Sequence, residues 1–275
     1  MQLTDDGPPA PRPINDNRPA SEGLRLAEDF LMALRFYSRL PTGNAPHERP
    51  SLRRIAPVLP IASLVVGLPP ALLLLLLEWL GVHQLFAATL AIALGVVLSG
   101  AMTEDAFADA ADGLFGGDTI ERRLEIMKDS RHGTYGVCAI VLLIGLRICA
   151  IGLLANPLEA AGIMLIAPVI ARSGALWLTV ALPPARSGGA AANAGQVTRQ
   201  SFAIGAAITA PMAFLFAGFA VGIVGLVVAY ALAALVVWGW TALCRRMIGG
   251  QTGDLIGALQ ALLEIAVLTA FMIFV

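Results

Sequence analysis

Residues 202–244 read FAIGAAITAPMAFLFAGFAVGIVGLVVAYALAALVVWGWTALC and contain no charged side chain. A hydrocarbon core about 30 Å thick is crossed by about 20 apolar residues, so this stretch is long enough for two transmembrane helices. Ile55–Leu77 and Leu85–Thr103 are also free of charge, and each is long enough for one. Tyr135–Leu158 carries only Arg147, Ala160–Pro183 only Arg172, and Leu255–Val275 only Glu264. The chain is 57% hydrophobic and 13% charged, against about 25% charged in soluble domains. Its mean hydropathy is +0.78. The apolar blocks do not alternate as barrel strands do, and in lipid a helix satisfies its own backbone. The fold class is therefore all-α: a polytopic integral membrane helical bundle of about seven spans. Pro69-Pro70 inside the first block is able to kink or split it, which widens the range to six to eight.

Lysine and arginine fix the orientation. Arg49, Arg53 and Arg54 precede the first span, and Glu78–Gln84 after it has no basic residue. Arg122, Arg123, Lys128 and Arg131 share the next loop, Asn156–Glu159 has none, Arg186 and Arg199 follow, Gly218–Gly225 is bare, and Arg245-Arg246 close the series. By the positive-inside rule the basic ends face the cytoplasm of a bacterial inner membrane, and most polar chemistry gathers there. Three regions result. Residues 1–22 are a Pro-rich polar tail, expected to be disordered. Residues 23–54 hold an amphipathic helix over Leu24–Leu40, lying in the cytoplasmic interface or capping the bundle, and a linker. Residues 55–275 form the transmembrane domain, with a cytoplasmic catalytic loop over 104–135. Cys138, Cys149 and Cys244 show no CxxC spacing and read as small core residues. His47 and His83 have no second histidine at ligand spacing and take no role.

After the second block comes EDAFADAADG, Glu104 to Gly113. Asp105, Asp109 and Asp112 recur at i, i+4 and i+7, on one face of a helix, with Glu104 about a quarter-turn away. If the second span simply continues, these acids sit at its C-terminal end, where the helix dipole disfavours negative charge. A cation is then needed, and oxygen-only ligands beside a phosphate suit Mg²⁺. The alternative is a solvated acidic helix end. Asp118 with Glu121 is a capping-box spacing for a short helix to about Asp129, whose Ile120, Leu124 and Met127 can face the membrane surface. Arg122, Arg123, Lys128 and Arg131 would stand nearby as phosphate ligands, and phosphoryl transfer asks for little beyond positioning and charge neutralisation.

Asp105–Gly113, together with RRLEIMKDSRHGTYG at 122–136, resembles the cobalamin synthase (adenosylcobinamide-GDP ribazoletransferase) family. FLMALRFYSRLP at 30–41 and GGQTGD at 249–254, with Gly257 and Glu264, resemble it too. The family's core reads H-x-D-G-L-A-D-x-x-D-G; here Thr103 stands in the histidine position and Ala106-Phe107 replace Gly-Leu. The resemblance implies a Mg²⁺-dependent transferase acting late in cobalamin assembly. It would join α-ribazole, or its 5′-phosphate, to adenosylcobinamide-GDP and release GMP. Asp105, Asp109 and Asp112 become the metal ligands and Asp109, Asp112 and Asp129 the catalytic residues, Asp129 as a fourth ligand or as the base for the ribazole hydroxyl. Glu104, Asp254 and Glu264 are weaker candidates; Asp254 reads equally well as the N-cap of the last span. Arg147 and Arg172 face the bundle interior or a wet cavity, pairing with an acid such as Glu264 or touching substrate. The expected partners are these substrates and the lipid bilayer, with no nucleic acid; a homo-oligomer is compatible with the sequence. Two other readings remain: a CDP-alcohol phosphotransferase-like lipid enzyme, which shares D-x-x-D-G but not its continuation here, and a membrane cation transporter.

Overall fold

The structure, a computed structural model, describes residues 26–43, 49–186 and 194–275. The tail over 1–22 and His47 fall outside the described residues. Eleven helices follow in order among them: α1 (Leu26–Tyr37), α2 (Leu52–Ile55), α3 (Leu59–Trp79), α4 (Gln84–Ser99), α5 (Met102–Gly116), α6 (Ile120–Ile126), α7 (Thr134–Gly152), α8 (Pro157–Ala175), α9 (Trp177–Ala181), α10 (Arg199–Met247) and α11 (Gly253–Phe271). No strand occurs among the described residues; one isolated bridge joins Pro184 to Gln251. The fold is an all-α helical membrane bundle.

Five segments are long and apolar enough to cross a membrane, namely α3, α7, α8 with α9, α10 and α11, and α4 with α5 makes a bent sixth. The 49 residues of α10 would reach roughly 73 Å at about 1.5 Å per residue, over twice the hydrocarbon thickness. Gly222, at φ 65° and ψ 178°, breaks it. The contacts on either side show a reversal. Thr209 Oγ1 lies 3.2 Å from Ser173 Oγ, and Gly162 packs against the carbonyl of Phe216, so the first half runs antiparallel to α8. Trp240 Nε1 donates to Leu255 O at 2.9 Å, and Gly225 meets Phe274, so the second half runs antiparallel to α11. α10 is thus a hairpin of two spans, which brings the total to seven. Pro69-Pro70 leaves α3 as one 21-residue helix.

The second span does not continue into the acidic segment. Gly100 (φ 67°) and Ala101 (φ 56°) are both left-handed, and α5 departs at 83° to α4. This corrects the electrostatic reading of the sequence. Glu104 and Asp105 occupy the first turn of a new helix, where the dipole favours negative charge. The segment 104–135 is accordingly more than a loop: its first part, α5, is packed inside the bundle.

α1 buries Met32, Ala33, Leu34 and Tyr37 in a cluster with Leu52, Ile55, Leu59, Leu176 and Val197. It caps the end of the bundle that carries the basic residues, tied down by Arg54 Nε on Asp29 Oδ1 at 2.6 Å.

Candidate active site at the basic end

α5 is seated by small residues. Ala106, Ala108 and Ala110 are buried, and α11 presents Gly257, where a Cβ would strike that of Ala106. The alanine at 106 is therefore accommodated by the glycine facing it. Thr103, also buried, accepts from Gln260 Nε2 at 2.8 Å, a structural tie between α5 and α11.

The carboxylates that share this segment go to three places. Glu104 turns inward, where Arg147 Nη1 donates to it, while Arg147 Nη2 donates to Glu264 at 2.6 Å. Glu104 and Glu264 thus stand with Arg147 inside the bundle, and pairing with acids is what Arg147 does there. Asp105 and Asp109 face His132: Nε2 is 3.8 Å from Asp105 Oδ1 and Nδ1 3.6 Å from Asp109 Oδ1. The side chain of Asp105 is 66% exposed and that of Asp109 17%, so the pair lies at the mouth of the bundle with one member recessed. Asp112 is not with them. Its Oδ2 accepts from Gly133 N at 2.6 Å and its Oδ1 from Gly136 N at 2.9 Å, so it caps α7 from α5. Both glycines are required, because a Cβ on either would strike the Asp112 carboxylate.

Asp254 belongs to this site rather than to a helix cap. Thr252 is the N-cap of α11, accepting from Leu255 N. Asp254 takes Arg186 Nη2 at 3.2 Å and is close enough to Asp109 to repel its charge, as Asp105 and Asp112 also do. Crowded carboxylates with one exposed neighbour fit a divalent cation. Asp105 and Asp109 stand side by side, and two carboxylates are the number that Mg²⁺ commonly takes from protein beside substrate phosphates; Asp112 positions the loop next to them. Among the described residues no group of three acid, histidine or cysteine side chains stands at ligand spacing, so the expected set of Asp105, Asp109 and Asp112 is not assembled.

The basic loop is engaged differently from expectation. Thr119, not Asp118, caps α6, accepting from Arg122 N at 3.2 Å. Met127, the C-cap of α6, is buried beneath Gly113, whereas Ile120 at the other end of α6 stays exposed. Arg123 donates to Gly117 O and Met247 O, both at 3.0 Å, locking α6 to the end of α10. Arg122 pairs with Glu125 at 2.7 Å. Arg131 pairs with Asp129 at 2.8 Å, and those hydrogen bonds hold the Asp129 carboxyl down to about 2. That shift is the wrong direction for a base at neutral pH. Lys128 is exposed, with no ion pair among the described residues.

The cobalamin-5-phosphate synthase family model matches residues 29–272. The chain belongs to the cobalamin-5-phosphate synthase family. It is 42% identical over 256 residues to an adenosylcobinamide-GDP ribazoletransferase of Azorhizobium caulinodans, covering 91% of this chain and 97% of that protein. Enzymes of the same name from Bradyrhizobium diazoefficiens and Rhizobium meliloti are 40% and 37% identical, covering 95% and 96% of their own lengths. No solved structure matches. Membership in the cobalamin-5-phosphate synthase family makes the chain a transferase of cobalamin synthesis and removes the transporter and lipid-enzyme readings.

In this member of the cobalamin-5-phosphate synthase family, His132 and Arg186 were not singled out by sequence. His132 lies inside the RHGTYG stretch, which was the available signal; Arg186 meets Asp254 across 68 residues and left none. Replacing Asp112 by Ala is expected to cost about 1–2 kcal/mol, the value of a lost cap, and to lower turnover at least tenfold by freeing the His132 loop. Thermal unfolding and GMP release, measured on the same preparation, check both effects.

Proposed function

We propose that this chain transfers the adenosylcobinamide-phosphate group of adenosylcobinamide-GDP to α-ribazole or its 5′-phosphate and releases GMP. We further propose that it does so with Mg²⁺, on the cytoplasmic face of a bacterial inner membrane. The observation that carries the reading is the Asp105–Asp109 pair facing His132 at the end of the bundle where the basic residues collect. The alternation of basic and basic-free loops supports the orientation, and the printed names of the relatives support the substrates.

A free ribose hydroxyl of the acceptor, one other than the 5′ position, forms a bond to the phosphorus nearest cobinamide, the bond from that phosphorus to the GMP oxygen breaks, and the hydroxyl proton is released. Mg²⁺ held by Asp105 and Asp109 would neutralise diphosphate charge as it shifts to the leaving GMP. His132 stands between the two carboxylates at the turn that enters α7. Asp112 holds the glycine-rich turn that carries His132. Arg186, already beside Asp254, and Lys128, exposed on the same end, are the cations best placed for phosphate oxygens. Arg123 acts through the fold, since its guanidinium serves backbone carbonyls.

Asp129→Asn is expected to keep turnover within threefold of wild type. An exposed carboxyl held at about 2 is fully ionised above pH 5, and its contribution is lost only as pH falls towards 2. The pH–rate profile above pH 5 should therefore be unchanged, and a lost limb near neutrality would restore Asp129 as the base. The reaction itself is tested on protein in nanodiscs supplied with Mg²⁺, adenosylcobinamide-GDP and α-ribazole. GMP and a corrinoid product in one-to-one ratio are expected; neither product from folded protein overturns the reading.

A further inference from the structure

Between α3, α4, α5, α7, α8 and α11 lies a cavity of about 90 Å³, room for a few water molecules. Its walls are mostly apolar, but besides Ser99, whose hydroxyl bonds to the carbonyl of Val96, six polar side chains line it: Thr103, Glu104, Arg147, Arg172, Gln260 and Glu264. Thr103 and Gln260 satisfy each other, and Arg147 holds both glutamates.

What stands out is what these pairings leave over. Arg172, 8% exposed, has no hydrogen bond or ion pair among the described residues. Its guanidinium carbon lies 5.9 Å from the centroid of the Tyr37 ring. Arg172 Nε, Arg147 Nε and Glu104 Oε2 are buried with no hydrogen-bond partner. An ionisable group at membrane depth is costly and marks a functional site by default, and an unmet buried polar atom costs about 1–3 kcal/mol.

The charge balance selects the ligand. Two arginines and two glutamates sum to zero, so a ligand carrying net charge would add an unbalanced charge to a low-dielectric interior. The unmet atoms are donors on Arg172 and Arg147 and one acceptor on Glu104. A neutral group that both accepts and donates answers them. We infer that this cavity is a binding pocket for a primary carboxamide, its carbonyl oxygen accepting from Arg172 and its N–H donating to Glu104 Oε2. The inference rests on the reading above and deepens it: the amide belongs to the corrinoid half of the substrate. The placement agrees, because Glu104 lines the cavity while Asp105, the next residue on α5, faces His132.

The test is equilibrium binding of cobinamide without nucleotide to the full chain in nanodiscs, followed by tryptophan quenching in EDTA so that neither metal nor turnover enters. Two variants are compared. Arg172→Met removes the donor. Gly95→Leu fills the cavity and leaves all four charges in place; a Cβ there meets only Pro70 Cγ, at 3.7 Å. Each is expected to raise Kd at least tenfold, as is replacing cobinamide by its peripheral methyl esters, which accept but do not donate. If Arg172→Met fails to fold, Gly95→Leu and the ester decide. Undetectable binding to wild type, or equal binding to wild type and Gly95→Leu, or equal binding of ester and amide, overturns the pocket and leaves a hydrated structural network. GMP release judges the parent reading separately. Wild type that releases GMP while Gly95→Leu binds cobinamide normally refutes the pocket alone; wild type that releases none refutes the reaction, with the binding results still deciding the pocket.

Discussion

Asp109→Asn is expected to lower kcat by about 10²–10³-fold, the range for removing one preorganised electrostatic group from a transition state, while thermal unfolding shifts little. Asp109 is the recessed member of the carboxylate pair, 17% exposed against 66% for Asp105. It is surrounded by the charges of Asp105, Asp254 and Asp112. Removing its charge relieves that repulsion, so folding does not suffer. Catalysis does, because a neutral amide neither holds a hard cation well nor offsets the diphosphate through one. Asp105→Asn should fall less far, since its exposed carboxylate is screened by water. Steady-state GMP release beside a thermal melt separates the two effects. Turnover of Asp109→Asn within threefold of wild type would remove the carboxylate pair from the chemistry.

Arg147→Met is expected to be the most destabilising single change in the bundle, by about 3–5 kcal/mol. Arg147 is 8% exposed and joins Glu104 on α5 to Glu264 on α11. Taking it away leaves two glutamates buried without their cation, and the lost partner matters more than the pair's own net worth. The companion change is as telling. Arg147→Met combined with Glu104→Gln and Glu264→Gln removes the charges together and should recover more than half of the lost stability, since neutral amides can bond to one another. Differential scanning fluorimetry in one detergent checks both, and Arg147→Met within 1 kcal/mol of wild type would mean that water already solvates the cluster.

The all-α membrane class was plain in the sequence because uncharged blocks of span length admit little else. The α10 hairpin could be read too: the uncharged run from Phe202 to Cys244 is twice span length, and glycine at 222 provides the turn. The break at Gly100-Ala101 was hidden. A non-glycine residue in the left-handed region carries no local signature, and apolar sequence runs through the break unchanged. That single turn moved Glu104 and Asp105 from a helix end to a helix start and sent Glu104 inward while Asp105 stayed outside. Helical spacing correctly joined Asp105 to Asp109, yet it could not tell that Asp112 would meet the backbone of residues 133–136, a tertiary contact. For the same reason Arg122, Arg123 and Arg131 looked alike in sequence, and only packing separates a surface pair from a lock on backbone carbonyls. Arg147 was legible as a buried charge needing acids, Glu264 among them. Its second partner, Glu104, depended on the bend.

The most direct test of the carboxylate site is Mn²⁺ binding, followed by electron paramagnetic resonance on nanodisc-held protein with adenosylcobinamide-GDP and no acceptor. The account predicts a bound-metal signal in wild type whose affinity falls at least tenfold in Asp109→Asn and in Asp105→Asn, and stays near wild type in Asp129→Asn. Equal Mn²⁺ affinity in wild type and both pair variants would contradict it and send the search for the cation to another part of the molecule.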